Sequence, residues 1–93
     1  MITAKVIDIS FATSGEDILD GLAESLAFPE WWGRNWDALF DCLSDPELSD
    51  IPAELHIRGI SALEDKLPTD TNKLVEVLAD VNRDRSDVSV FWE

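Results

Sequence analysis

The chain has 93 residues, enough for one domain spanning 1–93, and 45% of them are apolar, so a buried core is within reach. Asp and Glu total 20 against 7 Lys and Arg, a balance of −13. That charge argues against nucleic acid and anionic membrane as partners, because both would repel this surface, and it admits a basic protein. Solubility alone is the plainer reason for an acidic composition. Cys42 is the single cysteine, so no internal disulfide is expected, in keeping with a reducing compartment. The first residues, Met1 to Phe11, carry Lys5 and Asp8 and no long apolar run. Neither a signal peptide nor a membrane span is expected, and the cytoplasm is the expected location.

Residues 4–9 read as a strand, with Val6 and Ile7 at its middle. Ser14-Gly15-Glu16-Asp17 then places a capping residue three positions before an acid, which predicts a helix over about 15–27. Ile18, Leu22 and Leu26, with Leu19 beside them, give that helix one apolar stripe despite Gly21. Phe28-Pro29 ends it, since the residue before a proline leaves the α region. An aromatic loop follows from Pro29 to Asn35, and Asn35 is a candidate N-cap for a second helix over 35–44. On that helix Trp36, Leu39 and Leu43 share a face, Phe40 sits at its edge, and Asp37 and Asp41 lie opposite.

A polar connection runs from Ser44 to Pro52. Residues 53–58 alternate apolar and polar, which predicts a strand. Ser61 to Leu67 is a candidate helical turn. Thr69 or Asp70 is the candidate cap of a last helix over about 70–84, with Leu74, Leu78 and Val81 inward. Residues 87–92 alternate again through Val88, Val90 and Trp92, a closing strand. Helical crossovers between strands favour a parallel sheet with right-handed connections, so the fold class is α/β.

Little in the sequence points to catalysis. His56 is the only histidine and sits in a predicted strand, where a packed or surface ring is the simpler role. Cys42 lies near the apolar arc of its helix and reads as a small buried packing residue. No Ser-His-Asp set and no glycine-rich phosphate loop is recognisable. Asp37 and Asp41 alone make a poor cation site, so no cofactor and no metal is expected.

Asp37 and Asp41 are i and i+4 on one helix, where like charges repel. An ordinary solvated face accounts for them, and core packing accounts for at least one of Trp31, Trp32 and Trp36. An exposed Trp beside unpaired acids would mean something else, because aromatics dominate interface hot spots while acids orient a cationic partner.

The run from Pro29 to Leu43, Pro-Glu-Trp-Trp-Gly-Arg-Asn-Trp-Asp-Ala-Leu-Phe-Asp-Cys-Leu, resembles the signature of the barstar family. That signature reads Pro-x-aromatic-aromatic-Gly-x-Asn-x-Asp-Ala-Leu-x-Asp-x-Leu, and the succession of strands and helices follows the family more loosely elsewhere. The resemblance implies a three-stranded parallel sheet packed with three to four helices. It also implies a non-enzymatic, intracellular immunity protein that plugs the active site of a basic secreted microbial ribonuclease. The alternative is a module of the same fold for another basic protein, such as a non-ribonuclease toxin or a regulator. A monomer is expected in the free state.

By resemblance, Asp41 matches the family's dominant acidic contact and Asp37 a second acid on the same helix. Trp31 stands at a contacting tyrosine, without its hydroxyl, and Phe40 at a tryptophan beside the key acid. Asp80 matches a contacting glutamate with a shorter side chain, and Arg83 three residues on is placed to neutralise it in part. Gly33 and Asn35 match positions that shape the loop and start the helix. The segment from Ser44 to Asp50 is longer than in the founding protein and has no Trp.

Overall fold

A computed structural model describes residues 3–45, 47–48 and 51–93. The strands are β1 (Ala4–Asp8), β2 (Glu54–Arg58) and β3 (Ser89–Trp92). The helices are α1 (Gly15–Ser25), α2 (Trp36–Ser44), α3 (Ile60–Lys66) and α4 (Pro68–Asp84). All three strands are parallel in the order β1-β2-β3, with Val6 opposite His56 and His56 opposite Phe91. The expected three-stranded parallel α/β fold is what the chain adopts, and the helical turn expected after Ser61 is the two-turn helix α3.

Local chemistry explains most of these elements. Ser14 Oγ accepts the Asp17 backbone N–H, and the Asp17 carboxylate accepts the N–H and hydroxyl of Thr13, which closes the start of α1. Ile18, Leu19, Leu22 and Leu26 are buried, as their stripe predicts. The last helix differs from expectation. It begins at Pro68, with Leu67 as the capping residue and no side-chain cap, so neither Thr69 nor Asp70 starts it. Proline lacks the N–H that a first helical residue leaves unbonded, and its fixed φ suits that position. The closing strand begins at Ser89 rather than Asp87. The polar connection expected from Ser44 to Pro52 lies partly outside the described residues.

Gly59, between β2 and α3, has φ 92°, and a Cβ there would meet the Ser10 backbone nitrogen at 2.7 Å. Only glycine satisfies both the left-handed backbone and that close approach.

Two right-handed crossovers that advance in the same direction put their helices on one side of a sheet. The strands accordingly bury Ile7, Leu55 and Ile57 in the core that holds Ile18, Leu22, Leu39, Leu43, Leu74, Leu78 and Val81. The opposite side carries Val6, His56 and Phe91, with Val6 52% and Phe91 44% exposed. A parallel sheet normally has both faces covered. Here one face is open, and its polar positions are occupied by Glu54, His56 and Arg58. Trp92, inward by alternation, remains partly exposed because β3 is an edge strand.

Candidate functional site

The segment that leads into α2 is built by three local devices. Ala27 and Arg34 both have positive φ, 57° and 50°, and so bend the chain sharply on either side of the aromatic residues. Arg34 is held there by Asp20 of α1, Nε to Oδ1 at 3.0 Å and Nη2 to Oδ2 at 2.8 Å. Asn35 Oδ1 accepts the Ala38 N–H at 2.7 Å, and its Nδ2 donates to the Gly33 carbonyl at 3.3 Å. Asn35 is thus the expected N-cap. Gly33 lies close beneath the helix start, where a Cβ would sit 3.1 Å from Ala38 Cβ. Sequence reading missed the Arg34–Asp20 clamp, since its partners are fourteen positions apart and carry no motif.

These devices separate two adjacent tryptophans. Trp32 is 8% exposed and meets Phe28 edge to face, with ring centroids 5.0 Å apart. Trp31 is 72% exposed. A large aromatic ring left this open on a loop fixed at both ends is an unpartnered apolar surface at a preorganised position.

On α2, Leu39, Cys42 and Leu43 are buried and Asp37 and Asp41 are exposed. Burial raises the Cys42 thiol pKa, and the nearby Asp41 and Asp45 carboxylates raise it further, so it stays a neutral packing group. Trp36 and Phe40 are half-buried and do not simply face away from the acids. They line, with Asp37, Asp41, Val77 and Asp80, a groove of about 380 Å³ between α2 and α4. Its walls are apolar and its carboxylates come from two helices. Of the residues predicted for the site, Asp37, Phe40, Asp41 and Asp80 meet in this groove. Trp31, Gly33 and Asn35 belong to the loop before it. Trp36 and Val77 were not among the predicted site residues. Their apolar character reads in sequence as core, which is half of what they do.

The electrostatics of the groove are uneven. Among the described residues, no Lys, Arg or His lies within 4.0 Å of Asp37 or Asp41. Asp37 is in the first turn of α2, where the helix dipole favours a negative charge. Asp41 is near the other end, where the dipole disfavours it, so its charge brings no local stabilisation. Asp80 is paired with Arg83 on the same helix, as the spacing suggested. Among the described residues no cluster of His, Cys, Asp and Glu suits a metal ion. No helix among them is long and apolar enough to cross a membrane.

The chain is 31% identical over 72 residues, 77% of its length, to a Bacillus subtilis (strain 168) protein named "Putative ribonuclease inhibitor YrdF", of which the match also covers 77%. The family model described as "Barstar (barnase inhibitor)" matches residues 2–92. With a parallel three-stranded sheet, an α2 capped by Asn35 and the signature run from Pro29 to Leu43 in place, the chain belongs to the barstar family.

Proposed function

We propose that this protein inhibits a basic ribonuclease by seating α2 and the adjoining rim of α4 in the enzyme's cationic active site. The observation that carries the reading is the groove of Asp37, Asp41 and Asp80 over Trp36, Phe40 and Val77, in which two of the carboxylates, Asp37 and Asp41, have no cation of their own among the described residues. Exposed carboxylates fixed on a helix stand in for RNA phosphates, and they meet Arg, Lys and His side chains that the enzyme keeps for its substrate. Trp31, projecting from the clamped loop, adds apolar contact beside the acids. The charge of −13 draws a basic enzyme in and repels RNA. Inhibition is by occlusion, and no residue of this chain acts as a catalyst. Such a protein works in the cytoplasm of the cell that makes the ribonuclease and protects it until the enzyme is secreted.

The test is capture of binding proteins from the source cells on the immobilised chain, followed by a ribonuclease assay of the captured protein with and without added inhibitor. Stoichiometric loss of RNA cleavage is the expected result. Capture of a basic protein that cleaves no RNA would leave the fold and the face in place and replace the ribonuclease by another toxin or a regulator.

A further inference from the structure

The binding groove exists only while α2 and α4 keep one relative position, because its carboxylates are shared between them. The contact between these helices belongs to the apolar core, where Leu39 and Leu43 of α2 join Leu74, Leu78 and Val81 of α4. Apolar burial is non-directional and by itself fixes the register of two helices weakly. Arg85 adds a directional tie. It is the C-cap of α4, and its N–H donates to the Val81 carbonyl at 2.8 Å. Its guanidinium donates from Nη1 to the Leu43 carbonyl in the last turn of α2, at 3.1 Å. The other edge is held by Asp87, Nε to Oδ1 at 3.3 Å and Nη2 to Oδ2 at 2.9 Å.

Two further facts set this side chain apart. It is 16% exposed, whereas the side chains of Arg34, Arg58 and Arg83 are 55%, 58% and 73% exposed. The last turn of α2 has no basic residue of its own, and Asp41 and Asp45 lie at that end. Arg85 is therefore the cation brought to the negative end of the α2 dipole from another element.

We infer that Arg85 is a positioning residue for the binding face: aimed by Asp87, it fixes the C-terminal turn of α2, and so sets Asp41 against Asp80 and Val77 of α4. This rests on the reading of the groove as the surface that meets the enzyme. Lysine is a poor replacement, since a single ammonium cannot hold the Asp87 fork and the Leu43 carbonyl in one plane.

The experiment compares Arg85→Met, Arg85→Lys and Asp87→Asn with the parent, at a temperature where each is fully folded by circular dichroism. One readout is dissociation from barnase, the enzyme named in the family's description. The other, which needs no partner, is amide hydrogen exchange in the last turn of α2 and in β2. Arg85→Met is expected to speed dissociation about tenfold, the change that corresponds to one lost hydrogen bond to a charged group. Exchange should rise at Asp45, whose N–H bonds the Asp41 carbonyl, and stay unchanged in β2. Arg85→Lys should recover part of both, and Asp87→Asn should move both in the direction of Arg85→Met by less. A lower melting temperature with unchanged dissociation and unchanged α2 exchange would overturn the inference and leave Arg85 a stabilising residue only. If Arg85→Met does not fold, Arg85→Lys and Asp87→Asn decide by the same readouts. Asp41→Ala is the control: if it binds barnase as the parent does, the groove is not the binding face, and the positioning role falls with it. If the parent does not bind barnase, the same variants are compared on the basic protein captured from the source cells, and unchanged dissociation there with unchanged α2 exchange overturns the inference.

Discussion

On the open face of the sheet the acids are partnered within the molecule. His56 has Glu54 at one ring nitrogen, 3.2 Å away, and Glu93 at the other, and its ring stacks on Phe91 with centroids 4.7 Å apart. Glu93 also accepts from Arg58 at 3.1 Å. On the α2–α4 face Asp37 and Asp41 have no such partners among the described residues, although they stand one helical turn apart. Both faces carry acids and exposed aromatics, so neither charge nor apolar exposure separates them. The difference is whether each carboxylate is satisfied before anything binds. A paired acid adds little field beyond its own partner, while an unpaired one on a rigid helix is available to an incoming cation.

The sharpest way to break this contrast is Asp41→Ala. Truncating one side of a desolvated charge pair costs roughly 2–5 kcal/mol of binding. Folding should be unharmed or gain a few tenths of a kcal/mol, since Ala is a better helix former and the Asp37 repulsion is relieved. Titration of the ribonuclease and a thermal melt of the same variant measure the two sides. Melting below the parent would make Asp41 a structural acid. Asp37→Ala should show a smaller loss of binding, with less gain in stability because its charge suits the helix start.

Trp31→Ala comes next. An aromatic anchor at the centre of an interface is worth about 2 kcal/mol, whereas a ring this exposed contributes within about 0.5 kcal/mol to folding. Trp32→Ala is the opposite case and should lower the melting temperature, because it empties the contact with Phe28. Equal behaviour of the two variants in both assays would erase the distinction between them.

Salt tests the unpaired acids together. The Debye length falls from about 30 Å at 0.01 M to about 8 Å at 0.15 M, so association with a basic enzyme should slow across that range. Dissociation should change less, since desolvated contacts are weakly screened. Stopped-flow association at several ionic strengths gives the slope, and Asp41→Ala should flatten it.

The smallest expected effect belongs to the open face. Carboxylates at both ring nitrogens favour the doubly protonated ring, which alone donates at both, so the hydrogen bonds that His56 donates to Glu93 and Glu54 raise its pKa. A group whose pKa is higher folded than unfolded contributes stability that is complete below its unfolded value, about 6.5 for histidine, and is lost as pH rises through the folded value. The melting temperature should therefore decline as pH rises above the unfolded value of about 6.5, and His56→Gln should lessen that slope. Inhibition by His56→Gln should match the parent. An effect on binding would show that the two faces are not independent.

Part of this was legible in the linear sequence because its causes are local. The cap at Ser14 and the cap at Asn35 lie within three residues of the groups they bond, and the stripes of α1 and α4 repeat within one helix. The run from Pro29 to Leu43 carried the family resemblance because loop, cap and acids are contiguous. The tertiary structure alone decided which of two adjacent tryptophans is buried, since Trp31 and Trp32 are the same residue and differ only in whether Phe28 and the core lie beneath them. It alone brought Asp80 and Val77 to Asp37 and Asp41, across some forty residues of chain, and left one face of a parallel sheet open. Strand order and helix packing are set by contacts between residues distant in sequence, and periodicity in a short window holds no record of the partner.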